Sequence, residues 1–296
     1  MDRLDFHADP AEFLAVAGPV LEADPVVGTI VATMAQREAR ERSQGVAPPT
    51  DRPYWWLVLL EEGVPIGCAM RSAPFEPYPP LLLPMSEADA RLLAQALHRR
   101  GETVTAVNGF RPATDAFAAE TARLAGRRAE VSVHLRLFEL VELVLPEPVA
   151  GHLRYAREDE VDLAVGWYDA FAAAADEQAG RRPGTLHEGR HERDEMLRRI
   201  KDERVCFWVD DEDRPLHVTG FSHPAFGVAR VGPVYTPRDL RGRGIASNAV
   251  AAVSRLLLDR GARVCLYTDQ ANPVSNRIYQ SLGYRPVVDQ VSYVLE

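Results

Sequence analysis

One glycine-rich segment of the chain has the residue types of an anion-binding loop. It lies between a predicted strand and a predicted helix and reads Arg241-Gly242-Arg243-Gly244-Ile245-Ala246. Glycines adopt backbone conformations that other residues avoid and let a ligand approach the backbone closely. The N–H groups of such a turn point to one place, where the dipole of the following helix favours negative charge. The nearby arginines add positive charge, so the segment predicts an anion-binding site.

A second group of polar residues follows one helix and one strand downstream. Asn272, Asn276 and Tyr279 are spaced so that they share one face of a short helix. Asn272 is a typical N-cap and is followed by Pro273 at the first helical position. Taken singly, these residues would be a cap, a surface amide and a core tyrosine. Because they follow the glycine-rich loop in this order and at this distance, the two motifs together are a more specific signal than either motif alone.

Together the two motifs resemble those of the GNAT acetyltransferase superfamily. Its pyrophosphate loop reads R/Q-x-x-G-x-G/A, as residues 241–246 do, and a near variant of its following motif matches residues 272–284. The run Tyr267-Thr268-Asp269 before that helix is similar to the glycine N-acyltransferase-like branch. The resemblance covers roughly residues 150–296.

The resemblance implies direct transfer of an acetyl or short acyl group from acyl-CoA to an amine of a small molecule or peptide, with acetyl-CoA as co-substrate and no metal. A backbone N–H near Val234 would polarise the thioester carbonyl, and Tyr279 would protonate the departing thiolate. Asp269 and His223 are the candidate general bases, although a structural role or a water relay is the alternative for both. The implied CoA-binding residues are Val234, Tyr235, Thr236, Arg241, Gly242, Arg243, Gly244, Ile245, Ala246, Asn272, Asn276 and Tyr279.

Two other functions remain open from the sequence. A chain with this loop could bind acyl-CoA without turnover, as a sensor. A zinc-dependent hydrolase is the second alternative, because His187-Glu188-Gly189-Arg190-His191 matches H-E-x-x-H. Gly189 weakens a helix at this position by about 1 kcal/mol relative to alanine, and the longer zinc-protease pattern does not continue. A solvated helix start on the acceptor side of the cleft is therefore the favoured interpretation, and its histidines could contact substrate.

The elements that must position these residues are read from apolar periodicity. In the second half we predict helices over 158–175 and 192–200, strands over 205–209, 216–222 and 228–235, a helix after Gly244 and a strand over 264–268. A short helix from Asn272 and a strand over 284–295 complete it. Gly232-Pro233 predicts a bulge inside the third strand, because proline cannot donate to a ladder.

The first half repeats this order of elements. We predict strands over 55–60, 66–70, 103–107 and 131–140 and helices from Ser86 to Gly101 and over 113–124. When tryptophans and glycines of the first half are paired with those of the second, the residue numbers in each pair differ by nearly the same amount. Such constant spacing is typical of duplication. The predicted fold is therefore α/β of the α+β type: two tandem GNAT-like domains, each a mixed, mostly antiparallel sheet flanked by helices. Domain 1–146 lacks a CoA loop, since Pro84-Met85-Ser86 replaces the glycines, and domain 147–296 is the catalytic one.

Composition sets the remaining expectations. The chain has 296 residues, a net charge of −9 and three cysteines in separate apolar runs. An acidic balance argues against a nucleic-acid partner, and unpaired cysteines are typical of a reducing cytoplasm. No membrane segment is expected, and the sequence leaves open whether the chain forms a homo-oligomer. It does not identify the acceptor amine.

Overall fold

The computed structural model describes residues 3–182, 184–185 and 191–296. The chain divides into two compact units. The first unit is Met1–Leu135 with Val288–Glu296, and the second unit is Arg136–Val287. The predicted boundary between residues 146 and 147 would divide the chain into two consecutive domains. It stays a prediction.

Both units contain strands and helices. The strands are β1 (Leu4–His7), β2 (Trp55–Glu61), β3 (Val64–Arg71), β4 (Leu81–Leu82), β5 (Ala106–Phe110), β6 (Ala129–Leu140), β7 (His152–Tyr155), β8 (Val205–Val209), β9 (Pro215–Phe221), β10 (Val228–Tyr235), β11 (Arg263–Asp269) and β12 (Tyr284–Leu295). The helices are α1 (Pro10–Ala23), α2 (Thr29–Ser43), α3 (Glu87–Arg99), α4 (Ala113–Ala125), α5 (Val161–Gln178), α6 (Arg193–Lys201), α7 (Ile245–Asp259) and α8 (Pro273–Ser281). None of the described helices is long and apolar enough to cross a membrane.

In the first unit a mostly antiparallel sheet packs against helices. Strands β1 to β4 pair antiparallel, β4 and β5 pair parallel, and β5 pairs antiparallel with β12. The main core lies between this sheet and α3 and α4, where Leu93 and Phe117 are fully buried. Periodicity predicts neither α1 nor β1, and of α2 the alternating charges over 36–42 predict only a solvated helix face.

In the second unit β7, β8, β9 and β10 pair antiparallel, and β10 pairs parallel with β11. Each face of this sheet has its own core. On one face α7 and α8 cover a cluster that includes Val250 and Leu266, and on the other α5 and α6 cover one that includes Met196 and Phe207. Mixed, mostly antiparallel sheets flanked by helices confirm the predicted fold class.

Two local predictions have clear outcomes. The bulge is confirmed, because the β10/β9 register shifts between Val231 and Val234. The strand predicted over 103–107 is displaced to Ala106–Phe110, since the Thr103 carbonyl instead accepts a 2.8 Å hydrogen bond from the buried Arg71 guanidinium. All three cysteines are free and buried.

Candidate active site

Strands β10 and β11 part midway along their length. They pair in register from Val228 with Arg263 to Val231 with Leu266. Among the described residues no further pair joins the two strands, although β10 continues to Tyr235 and β11 to Asp269. The bulge begins where this pairing ends. A bulge bends its strand and increases the local twist. The bulge in β10 therefore separates the two strands beyond Val231 and Leu266, and we call this opening the wedge.

The glycine-rich loop follows β10 and forms the N-terminus of α7. Gly242 and Gly244 have φ of +78° and +77°, which residues with a Cβ rarely adopt. Gly244 is the N-cap and gives α7 no side-chain cap hydrogen bond. Among the described contacts, none occupies the backbone N–H groups of residues 242–247. These donors and the positive end of the helix dipole suit a pyrophosphate group.

The loop rests on a rigid base. Ile245 and Ala249 pack with Trp208 in a buried cluster, and a Cβ at Gly244 would lie 3.0 Å from Val149 Cγ1. The Asn248 amide nitrogen donates to the Glu147 carbonyl over 3.0 Å. Glu147 and Val149, at the start of the predicted second domain, therefore pack against the glycine-rich loop and the first turn of α7.

The end of β10 fixes the position of Arg241. Arg241 Nε donates to the Thr236 carbonyl oxygen over 3.1 Å. The Thr236 hydroxyl is 2.7 Å from Nδ1 of His217, whose Nε2 is 2.6 Å from the Thr219 hydroxyl. Burial lowers the pKa of His217 to about 3, so its ring is neutral at physiological pH. His217 therefore acts as a neutral bridge that holds the strand from which the loop begins.

The last turn of α5 lies against the same loop. Glu177 accepts ion pairs from Arg238 and Arg241, each with an N–O distance of 3.3 Å. One residue further, the Gln178 side-chain oxygen accepts a 3.0 Å hydrogen bond from the Asn272 amide. The end of α5 thus contacts both sides of the opening between β10 and β11, and a carboxylate already balances part of the positive charge of the loop.

Tyr279 lies at the base of this opening. It packs in the core cluster that contains Val231 and Leu266, the last paired residues of the two strands. Burial raises the pKa of its phenol to about 12, and the Ser275 side chain one turn earlier opposes this rise. The Tyr284 ring makes an edge contact at a centroid distance of 6.1 Å. Tyr279 is therefore both a core residue and a proton-bearing group beside the wedge.

The two asparagines of the motif stabilise the start of α8. Asn272 is the N-cap, and its side-chain oxygen accepts from the Ser275 backbone N–H over 3.1 Å. The Asn276 amide nitrogen lies within hydrogen-bond distance of the carbonyl oxygens of Asp269, Gln270 and Asn272. These carbonyls occupy the amide nitrogen, so a ligand could contact Asn276 through its side-chain oxygen.

The two candidate bases lie at opposite ends of the strands. Asp269 ends β11 at the wedge, where its carboxylate forms an ion pair with Arg181 and accepts the Ala271 N–H over 2.8 Å. His223 follows β9 at the far end of β10, since Ser222 bonds with Arg230, and its Nε2 is 3.0 Å from Asp202. The structure brings Tyr279 and Asp269 to the wedge but not His223.

Of the H-E-x-x-H motif, only His191 belongs to the described residues. His187 and Glu188 lie outside them, so the motif is described at one end alone. The His191 Nδ1 atom is 2.9 Å from Asp169, and its ring contacts Tyr168 at a centroid distance of 5.2 Å.

Comparison with known proteins identifies the architecture. Residues 218–294, which contain β10, the loop, α7, β11 and α8, match the family model described as FR47-like protein. A GCN5-related N-acetyltransferase from Sphaerobacter thermophilus is similar over 99% of this chain and 95% of its own, with 18% identity and a TM-score of 0.60. The fold is that of the GNAT acetyltransferases.

Two further structures share this GNAT fold over nearly their whole length. An acetyltransferase of the GNAT family from Colwellia psychrerythraea matches with 10% identity and a TM-score of 0.55, covering 99% of each chain. A tandem GNAT protein from the clavulanic acid biosynthesis pathway matches with 14% identity and a TM-score of 0.55, covering 98% of this chain and 97% of its own. No curated protein matches the sequence significantly. The glycine N-acyltransferase-like branch and the internal duplication stay predictions.

Sequence reasoning missed several residues around the wedge of this GNAT fold. Glu177, Gln178 and Arg181 come from the last turn of α5 and the loop after it, and no motif marks them. His217 looked like an ordinary strand residue.

Proposed function

We propose that the second unit transfers an acetyl or other short acyl group from acyl-CoA to an amine. The observation that carries this proposal is that the strands part next to an uncapped, glycine-built helix N-terminus. The wedge would admit the pantetheine arm, and the backbone N–H groups of residues 242–247 would bind the pyrophosphate. The thioester supplies an activated acyl group, so the protein needs only to bind, orient and polarise it.

Polarisation of the thioester carbonyl would come from β10. Residues 232–235 have no partner in β11, and Val234 faces Thr219 of β9 only. A backbone N–H fixed beside the carbonyl stabilises negative charge that develops on its oxygen. The rigid base beneath the loop and the His217 bridge to Thr236 would keep this strand in place.

Tyr279 would act on the leaving sulfur. With a pKa of about 12 its phenol keeps its proton throughout the physiological range. A thiol ordinarily has a pKa of about 8.5, so complete proton transfer from this phenol to a thiolate is uphill. We therefore assign Tyr279 a hydrogen bond to the sulfur as charge develops there, with solvent completing the protonation. Asp269 remains the candidate base, although its pairing with Arg181 would have to loosen first.

Calorimetric titration with acetyl-CoA tests the proposal directly. We expect one site per chain, because the first unit has no glycine loop at the start of α3. Thiol release on addition of a panel of amines then measures transfer. No heat of binding at millimolar acetyl-CoA would contradict the proposal.

The same experiment separates the alternatives. Binding of acetyl-CoA without thiol release for any amine, peptide amines included, would favour a sensor, in which the buried Tyr279 has only a packing role. Metal analysis of the purified protein, followed by a hydrolase assay, addresses the zinc alternative at His187, Glu188 and His191.

A further inference from the structure

Asp169 of α5 and His191, two residues before α6, form a close pair. The His191 backbone N–H donates to Asp169 Oδ1 over 3.0 Å, and the ring atom Nδ1 is 2.9 Å from the same oxygen. Because a carboxylate oxygen can only accept, Nδ1 carries the proton of the second hydrogen bond. Within the described part of the chain no hydrogen bond or ion pair occupies the other ring nitrogen, Nε2. The neutral ring therefore keeps its lone pair on Nε2, as a base requires.

One turn of α5 covers the unpaired part of β10. The Trp167 ring contacts the ring of Tyr235, the last residue of β10, at a centroid distance of 6.1 Å. The fully buried Tyr168 reaches the bulge. A Cβ at Gly220, opposite the bulge, would collide with the Tyr168 hydroxyl and lie 3.1 Å from the Gly232 carbonyl oxygen. These two aromatic side chains thus lie against the strand segment that would polarise the thioester carbonyl.

The His191 ring lies against the same turn of α5. It contacts the Tyr168 ring with the centroids 5.2 Å apart and the ring planes at 85°, so Tyr168 links the imidazole to the bulge. Burial raises the pKa of Tyr168 to about 12, and its hydroxyl therefore keeps its proton near neutral pH. The His191 side chain is 19% exposed, which leaves it open to a ligand or a water. Among Trp167, Tyr168 and His191, the imidazole is the group that can accept a proton.

The candidate base at the wedge is already engaged. Asp269 forms an ion pair with Arg181 and accepts the Ala271 N–H over 2.8 Å. A proton taken up by this carboxylate would weaken both interactions. Proton uptake at His191 Nε2 instead leaves the Nδ1 hydrogen bond intact, and the Asp169 carboxylate stabilises the imidazolium that results. His191 is therefore the better placed of the two to gain and lose a proton.

We propose that His191 is the general base that takes a proton from the acceptor amine, and that Asp169 is its positioning residue. This inference rests on the proposed acyl transfer and deepens it. One proton of the protonated amine passes to Nε2, directly or through one water, and from there to solvent. The nitrogen lone pair then forms the C–N bond, and the C–S bond breaks with its electron pair on sulfur. Nitrogen loses its second proton to solvent and the thiolate takes one from solvent, so one proton is released in all.

Removal of the imidazole tests the assignment. His191→Ala should lower kcat/KM for ethylamine about 100-fold, as loss of a general base does, and change acetyl-CoA affinity less than twofold. Imidazole added to the buffer should raise the rate of this variant at least fivefold and leave the unaltered protein unaffected. His7→Ala, which removes a histidine 3.1 Å from Asp5 in the first unit, is the matched control. Unchanged turnover in His191→Ala, or a loss that imidazole does not relieve, would overturn the proposal.

The basicity of the amine provides a second test. Ethylamine and 2,2,2-trifluoroethylamine are similar in size, but only ethylamine is largely protonated at pH 7. The loss in His191→Ala should be at least fivefold smaller for the fluorinated amine, because that amine needs no base before it attacks. An equal loss for both would contradict a base role. His191→Asn keeps a donor in place of Nδ1 but has no basic nitrogen, and it replaces His191→Ala if that variant does not fold.

Variants of Asp169 test its positioning role. Asp169→Asn should lower kcat at least tenfold and change the KM for ethylamine less than twofold, because it no longer fixes the proton on Nδ1. Asp169→Glu keeps the carboxylate and should restore part of kcat. Asp202→Asn, at the carboxylate 3.0 Å from His223, is the control and should leave kcat unchanged. Equal kcat in Asp169→Asn and the unaltered protein would remove the positioning role.

The inference and the proposed function fail in different ways. Absence of acetyl-CoA binding contradicts the proposed function. If acetyl-CoA binds but ethylamine is not acetylated, slow hydrolysis of acetyl-CoA replaces the amine assay, since an attacking water also gives up a proton. His191→Ala should then slow thiol release at least fivefold, and an equal rate would refute the inference. Turnover that His191→Ala retains and Asp269→Asn loses would assign the proton to Asp269 instead.

Discussion

Helices α3 of the first unit and α7 of the second unit begin in opposite ways. The Ser86 hydroxyl caps α3 by accepting the Asp89 N–H over 3.1 Å, and Asp89 is paired with Arg3 over 2.6 Å. Arg3 lowers the pKa of Asp89, so an ionised carboxylate belonging to the protein occupies this positive helix end. Helix α7 has Gly244 at the same position and no side-chain cap.

This difference shows how much stability a helix gives up when no side chain caps its N-terminus and its N–H groups are left for a ligand. A serine cap stabilises a helix by only a few tenths of a kcal/mol relative to a glycine cap, and an acidic residue in the first turn adds about 0.3–1 kcal/mol. Helix α7 forgoes both and leaves its N–H groups for an external anion. The first unit stabilises the start of α3 with its own side chains, whereas the second unit leaves the start of α7 uncapped, as the proposed anion site requires.

The largest expected effect comes from placing an acid at the open helix end. Gly244→Glu should reduce acetyl-CoA affinity more than 100-fold, because it adds negative charge and a Cβ 3.0 Å from Val149 Cγ1 at a φ of +77°. Calorimetry measures the affinity. Gly261→Glu is the matched control, since Gly261 has a φ of +80° and open space around it at the other end of α7. Equal losses in both variants would remove the argument for an anion site.

The next effect concerns turnover. Tyr279→Phe should lower kcat about 100-fold and change acetyl-CoA affinity less than twofold, because the hydroxyl acts on the leaving sulfur. Tyr284→Phe removes another buried hydroxyl, which lies 2.7 Å from that of Ser254, and should leave kcat within threefold. Steady-state thiol release and calorimetry give the two quantities. A parallel loss of kcat and affinity in Tyr279→Phe would assign it a packing role.

Removing the cap of α3 should affect stability alone. Ser86→Ala deletes the hydroxyl that caps α3 and should lower the free energy of unfolding by about 1 kcal/mol. Urea denaturation followed by circular dichroism measures this change. Acetyl-CoA stoichiometry should stay at one per chain, and a second site or a loss of binding would contradict the contrast between the two helices.

The smallest effect comes from the carboxylate beside the loop. Glu177→Gln removes the charge that pairs with Arg238 and Arg241. Exposed ion pairs are each worth about 0.2–1 kcal/mol, so acetyl-CoA should bind two- to fivefold more tightly, with a larger gain at low salt. Glu203→Gln, which breaks an exposed pair with Arg260, provides the control. Weaker binding would mean that Glu177 positions the arginines for the ligand.

Local patterns predicted much of the second unit. The glycine loop, the bulge at Gly232-Pro233 and the cap at Asn272 each depend on residues that are neighbours in sequence, and the structure has all three features. Glu177 and Arg241 are 64 residues apart. Contacts of this kind depend on how helices pack on the sheet, which residue spacing does not encode.

The division of the chain into units has a consequence for its synthesis. The first unit needs Val288–Glu296, because β12 pairs with β5 through residues 290–294. All of Arg136–Val287 has been translated before those residues exist. Domains generally fold from the N-terminus onward as the ribosome proceeds, but here the second unit can close while the first still exposes an unpaired edge of β5. The N-terminal half of this protein therefore depends on the last strand of the sequence to pair this edge of β5.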